Sequence, residues 1–246
     1  MAVLDPFDPR AGAKVSMPYF FYVIEHPEGT LLFDTGLHRS VRDGSSEHLG
    51  EAAGTFEWQF EVQDGDDVVS LLASIGKRPE EVDHIAHSHL HYDHAGGIDS
   101  FLHASFYIQR SELSFAFDPP IYQRSFYWRA DFEHRVDWAA LDGDHDIFND
   151  GSLVLFPTPG HTPGHQSLLV RLSGMSVVLA ADALFLPAKL SSRSIPAGAL
   201  AWSPDDMVRS FERLEEETSR NAATLITSHD TEFNTNVRLA PEAWYE

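Results

Sequence analysis

The sequence predicts an α/β fold, and three observations carry that prediction. Short apolar runs rich in Val, Ile, Leu, Phe and Tyr stop at turn signals, as strands do. Two stretches show helical spacing with recognisable ends. The chain has 246 residues, 43% of them apolar and 22% charged, which is enough to build a buried core. Residues 1–246 read as one domain, opened by an irregular arm over 1–16 that holds Pro6, Pro9 and Gly12 and shows no periodicity.

The elements follow in order. Between Pro18 and Glu25 the run Tyr-Phe-Phe-Tyr-Val-Ile is aromatic and β-branched, Pro27-Glu28-Gly29 offers a turn, and Thr30 to Phe33 resumes the apolar run. That pattern predicts a β-hairpin ending at Asp34-Thr35-Gly36. Residues 38–64 are polar and carry no pattern. Asp66 is placed to cap a helix whose Val68, Val69, Leu71, Leu72 and Ile75 share a face, with Gly76 at its end. Val82–Ser88 and Ser105–Gln109 are short strand candidates. Residues 115–138, dense in Phe, Tyr and Trp without a period, predict an insertion, either a loop or an irregular helical hairpin. Ile147-Phe148, Asn149-Asp150-Gly151 and Leu153–Phe156 spell a hairpin; Ser167–Leu172 and Val177–Ala181, separated by Ser173-Gly174, spell another. Ser203-Pro204-Asp205-Asp206 is a helix start with a serine cap, proline at the first position and acids in the first turn, for a helix reaching about Arg220. Thr224–Thr227 is a last strand.

Asp and Glu outnumber Lys and Arg 38 to 17, a formal net charge of −21. A field of that sign repels phosphate backbones and anionic lipid, so neither nucleic acid nor a membrane is expected as a partner. The chain has no cysteine, which excludes disulfides, thiolate metal sites and a cysteine nucleophile. Any metal must be held by nitrogen and oxygen. The opening Met-Ala-Val-Leu-Asp-Pro lacks the basic start and apolar stretch of a secretory signal, and no run approaches the ~18 apolar residues of a membrane span; the expectation is a cytoplasmic protein.

Chemistry concentrates in one segment. Of 14 histidines, His84, His87, His89, His91 and His94 fall close together, around His89-Leu90-His91-Tyr92-Asp93-His94-Ala95-Gly96-Gly97. On an extended chain His89 and His91 project to one side, and a turn into a helix at Ala95 would bring Asp93 and His94 round to the same space. Imidazole and carboxylate suit zinc, and also iron, cobalt or manganese. Further donors stand where strands end: His161 and His165 in Pro159-Gly160-His161-Thr162-Pro163-Gly164-His165, Asp182 after Val177–Ala181, and His229 after Thr224–Ser228.

A His-x-His-x-Asp-His motif, a later lone His, an Asp after a strand and a final His together resemble the dinuclear metallo-β-lactamase superfamily. Within it, Ser88-His-Leu-His-Tyr-Asp-His-Ala-Gly-Gly97, Thr158-Pro-Gly-His-Thr-Pro-Gly-His-Gln-Ser167 and Asp182-Ala183 are similar to the N-acyl-homoserine lactonases. The resemblance implies a four-layer αββα sandwich, two mixed β-sheets flanked by helices. It implies two divalent metals, zinc before iron, cobalt or manganese. His89, His91 and His161 would hold one, Asp93, His94 and His229 the other, and Asp182 would bridge them. Asp34 and His165 would support ligands from behind, and Tyr92 and Phe185 would meet the substrate. The implied reaction is ring opening of an acyl-homoserine lactone by a metal-bridging hydroxide (quorum quenching), with Asp93 passing a proton to the leaving alkoxide. Two departures stand out: Phe185 occupies the place where the lactonases carry a tyrosine, and the extra strand that opens the family's fold has no counterpart here.

Plainer readings compete. His26, His38, His48, His103, His134 and His145 read as surface or satisfied core residues. His87 reads as a support or surface residue. Phe115, Phe117, Tyr122, Phe126, Tyr127, Trp128, Phe132 and Trp138 read as core or a homodimer interface ahead of a substrate pocket. Competing functions are a glyoxalase II-like thioesterase, which needs more cationic residues than the 17 Lys and Arg readily supply, a phosphotriester hydrolase, and a non-catalytic metal-binding homologue.

Overall fold

The computed structural model describes residues 17–42, 48, 60–185, 190, 193–196, 198–229 and 239–246. The predicted arm over 1–16 lies outside them. The chain packs as two compact units, one of Tyr19–Ile108 with Leu113–Ala140, the other of Met1–Pro18, Gln109–Glu112 and Leu141–Glu246.

The first unit is built on strands β1 (Tyr22–His26), β2 (Gly29–Phe33), β3 (His84–Ala86), β4 (Ser105–Gln109) and β5 (Asp137–Leu141), hydrogen-bonded in that order. β1 and β2 form the expected antiparallel hairpin, with Tyr22 opposite Phe33, while β2–β3 and β3–β4 are parallel. Helix α1 (Val68–Ser74) precedes β3; its cap is Asp67, one residue later than expected, and its carboxylate accepts from the Val69 and Ser70 N–H groups. Gly76, at φ +75°, then ends it in the left-handed region. α2 (Tyr92–Ala95) and α4 (Arg129–Phe132) are single turns, and α3 (Arg110–Phe117) follows β4. Leu31, Leu32 and Phe33 are all buried, so β2 is covered on both faces and reads as a continuous apolar run. The aromatic segment divides: Phe126, Tyr127, Trp128 and Phe132 are buried, whereas Phe117, Ile121 and Tyr122 are exposed.

The second unit carries β6 (His145–Asp146), β7 (Leu153–Pro157), β8 (Gln166–Arg171), β9 (Ser176–Leu179) and β10 (Thr224–Ile226), ordered β10-β9-β8-β7-β6. β9–β10 is parallel and the other described pairs are antiparallel. The first strand of the β6–β7 hairpin lies at His145–Asp146, before the predicted Ile147-Phe148, because the chain turns with Asn149 at φ +58° and Gly151 at φ +82°. Helix α5 (Pro204–Arg220) starts and stops as predicted, with Ser203 accepting from the Asp206 N–H. Its Met207, Phe211 and Leu214 pack on Phe156, Leu169 and Val178. Both sheets are mixed and accompanied by helices, as expected. Among the described residues no helix is long and apolar enough to cross a membrane.

Candidate metal centre

In the first unit the chain leaves β3 extended and carries His89 and His91 outward before turning. His91 keeps an extended conformation (φ −67°, ψ 155°) as the cap of α2, and its carbonyl accepts from the His94 and Ala95 N–H groups at 3.0 Å each. The helix therefore begins at Tyr92 rather than Ala95, which puts Asp93 and His94 on its first turn. Ring centroids of His89 lie 4.4 Å from His91 and 4.2 Å from His94. All four ligand candidates are buried.

The Asp-Thr-Gly after β2 holds this turn in place. The Thr35 N–H and hydroxyl both donate to the His94 carbonyl, at 2.8 and 3.0 Å, and the Gly36 carbonyl accepts from the Gly96 N–H at 2.9 Å. A Cβ on Gly96 would stand 2.1 Å from the His38 nitrogen, so the close approach requires glycine there. Asp34, at φ +64°, turns its buried carboxylate under the candidate ligands. It accepts from the Ser88 N–H at 2.7 Å, the Ser88 hydroxyl at 2.8 Å and His94 Nδ1 at 2.8 Å. The Ser88 hydroxyl, having donated to Asp34, accepts from His89 Nδ1 at 3.0 Å. One carboxylate thereby fixes the proton on Nδ1 of two imidazoles and leaves Nε2 as a lone pair, the state a metal ligand needs.

In the second unit the loop after β7 presents His161. Gly160, at φ +134°, comes so close to Met207 that a Cβ would lie 2.4 Å from its backbone nitrogen. His161 Nδ1 donates to the Leu200 carbonyl at 2.8 Å. Asp182 stands in a one-turn helix after β9, where Ala181 has φ +44°, and accepts from the Ser228 hydroxyl at 2.6 Å. His229 follows β10 and gives Nδ1 to the Pro18 carbonyl at 2.8 Å. Nε2 of His229 lies 3.0 Å, and Nε2 of His161 3.5 Å, from a carboxylate oxygen of Asp182. With both protons on Nδ1, two buried lone pairs face an anion. Such a set is repulsive in a low dielectric unless a cation lies among the donors. The residues fit a divalent metal.

His165 places its proton in the same way: the Ser167 hydroxyl donates to the Ala180 carbonyl, so the Thr158 hydroxyl donates to Ser167 at 2.7 Å and accepts from His165 Nδ1 at 2.9 Å. His165 thereby ties the loop to β8. Phe185 lies beside two of the candidate imidazoles, stacked on His229 at 5.7 Å and edge-on to His161 at 5.4 Å. Tyr92 is buried and stacked on Trp128 at 4.5 Å. His87 is not at the surface: it is fully buried, stacked on Phe106, and burial pushes its pKa down to about 4. Of the histidines read as ordinary, His48 bonds the buried Asp131 at 2.5 Å and His38 lies 3.5 Å from Asp99, so both are half-buried residues with partners. Sequence reasoning missed Ser88, Thr35 and Ser228. Ser88, directly before the His-x-His pair, was a usable signal, whereas the Leu200 and Pro18 carbonyls leave none.

The chain matches the metallo-β-lactamase superfamily over residues 17–229. It is 36% identical to the N-acyl homoserine lactonase AttM of Rhizobium radiobacter over 238 residues, covering 94% of this chain and 89% of that protein. It is 31% identical to an N-acyl homoserine lactonase of Bacillus thuringiensis over 236 residues, covering 94% and 88%. A solved N-acyl homoserine lactone hydrolase with N-hexanoyl-L-homoserine at its catalytic metal centre superposes with a TM-score of 0.84 at 27% identity, covering 98% of this chain and 91% of that one. With the fold, the His-x-His-x-Asp-His turn and the Asp-Thr-Gly beneath it in agreement, the chain belongs to the metallo-β-lactamase superfamily and is similar within it to the N-acyl homoserine lactonases.

Proposed function

We propose that residues 1–246 act as one hydrolase domain that binds two divalent metals and opens the lactone ring of N-acyl homoserine lactones. His89, His91 and His161 are assigned to one metal and Asp93, His94 and His229 to the other, with Asp182 shared. Zinc is the first choice for a nitrogen and oxygen set, and iron, cobalt and manganese suit the same donors. When bound, two such cations supply a water made nucleophilic near neutral pH and polarise the ester carbonyl.

The observation that carries the reading is the common proton placement. His89, His94, His161 and His229 each give Nδ1 to a protein oxygen, so each reserves Nε2 for a cation. The remaining work falls to the chain. Asp34 and the Leu200 and Pro18 carbonyls hold protons away from the ligand atoms. Asp93 carries a proton to the leaving ring oxygen, so that lactone and water become N-acyl-homoserine. Phe185 and Tyr92 are assigned as aromatic contacts of the substrate, a small uncharged ester that an acidic chain does not repel. Phosphotriester hydrolysis is a second reading, favoured by the apolar ring of Phe185 beside two ligand imidazoles.

The test is a ring-opening assay with acyl-homoserine lactones from short to long chain, run with elemental analysis of the same sample. Ring opening at a metal ratio near two is expected. Protein loaded with two metals that opens none of these lactones, yet cleaves a phosphotriester, would replace the first reading by the second.

A further inference from the structure

We infer that Glu112 positions the His161 imidazole, and that the residue acts through the loop rather than on metal or substrate. The inference rests on the reading of His161 as a metal ligand. Glu112 is fully buried in the first turn of α3, where a helix N-terminus favours an anion. One of its oxygens, Oε2, accepts from the Thr162 hydroxyl at 2.6 Å and from the Gly164 N–H at 3.2 Å. These donors lie one and three residues beyond His161. Contact continues along the segment: the Ser111 hydroxyl donates to the Pro163 carbonyl at 3.4 Å, and Gln109 donates to Gln166 at 2.9 Å. A Cβ on Gly164 would stand 2.1 Å from the Glu112 nitrogen, so the loop lies directly on the helix start.

The other side of the loop is held by different groups. Trp202 N–H donates to the His161 carbonyl at 3.3 Å, Ser203 N–H to the Gly160 carbonyl at 2.9 Å, and the Ser210 hydroxyl to the Pro159 carbonyl at 2.6 Å. Those bonds fix the backbone before and at His161. Glu112 fixes it after His161, and the two together leave the imidazole one direction in which to point. Burying a carboxylate is costly, and an apolar side chain would fill the same space without that cost. What the carboxylate adds is an acceptor for two buried donors at a set place.

The experiment compares Glu112→Gln, Glu112→Leu and Thr162→Val in zinc-loaded protein titrated with a chromophoric chelator. Glu112→Leu should weaken one of the two zincs by roughly 10–100-fold, the range for losing a group that orients a ligand. Glu112→Gln should stay within about threefold of wild type, because one amide oxygen can take both bonds. Thr162→Val should fall between them. Zinc binding by Glu112→Leu at wild-type affinity would overturn the proposal, as would Glu112→Gln losing as much as Glu112→Leu. If Glu112→Leu does not fold, Thr162→Val decides alone, and wild-type affinity there overturns it. Wild-type protein that holds two zincs and opens no lactone refutes the proposed reaction and leaves the role of Glu112 standing.

Discussion

Replacing Asp34 by Asn should strip metal affinity while sparing the fold, because the change reverses a hydrogen bond without removing volume. The carboxylate accepts from the Ser88 N–H, the Ser88 hydroxyl and His94 Nδ1. An Asn that keeps its oxygen on the Ser88 N–H places an amide nitrogen where Oδ2 stood. That nitrogen is a donor, so His94 must give up its Nδ1 proton to accept from it, and the proton moves to Nε2. Ser88 loses its acceptor as well, and with it the group that orients His89. Binding a metal then requires undoing the arrangement, at about 10–100-fold in affinity, or roughly 1.4–2.8 kcal/mol at 1.4 kcal/mol per decade. Asn tolerates φ +64°, so the backbone accepts the change. Asp34→Ala is the contrast. Alanine pays about 1–2 kcal/mol for the left-handed conformation, and the abandoned Ser88 and His94 donors cost about 1–3 kcal/mol each. Chelator competition and thermal unfolding of metal-free protein separate the two: Asn should lose metal with a small change in Tm, Ala should lose both. An Asp34→Asn protein that binds both metals within threefold of wild type would refute the claim that this carboxylate sets the histidine protons.

Phe185→Tyr should raise lactone turnover by up to about 10²-fold at unchanged metal content if the added hydroxyl reaches the substrate oxyanion; flat turnover in a kinetic assay would mean that the ring serves only as a wall against His229 and His161. Trp128→Ala removes a buried ring stacked on Tyr92 and should cost about 3–5 kcal/mol in urea unfolding, with a change in acyl-chain preference or sedimentation mass marking a role beyond the core. For Asp99, burial pushes the pKa up, but the His38 hydrogen bond and the Arg39 charge outweigh it and hold the group at about 2 against 3.8. Because the folded pKa is the lower one, its stabilisation is complete above about pH 4 and disappears as the pH falls through 2. Asp99→Asn should therefore cost at most about 1 kcal/mol at pH 7 and nothing below pH 2, read from unfolding curves across that range.

The sequence alone determined the parts whose rules are local. The hairpin ending at Asp34, the cap and length of α5 and the turn between β8 and β9 follow from propensity, capping and turn chemistry within a few residues. The candidate donors were visible as a pattern too, a His-x-His-x-Asp-His run with later His and Asp residues that follow strands. What tertiary structure decided was orientation. Whether His87 faces solvent or core depends on Phe106, which belongs to the next strand. Where α2 begins depends on Thr35 and Gly36, far back in the chain, gripping the His94 and Gly96 backbone. The proton on each imidazole is set by partners that sequence cannot announce: Asp34 through Ser88, a carbonyl at Leu200, another at Pro18. Glu112 belongs to no motif of the sequence, and its meaning comes from the loop that lies on it. Backbone carbonyls are identical at every residue, so their selection as ligand supports is written only in the fold that brings them to an imidazole.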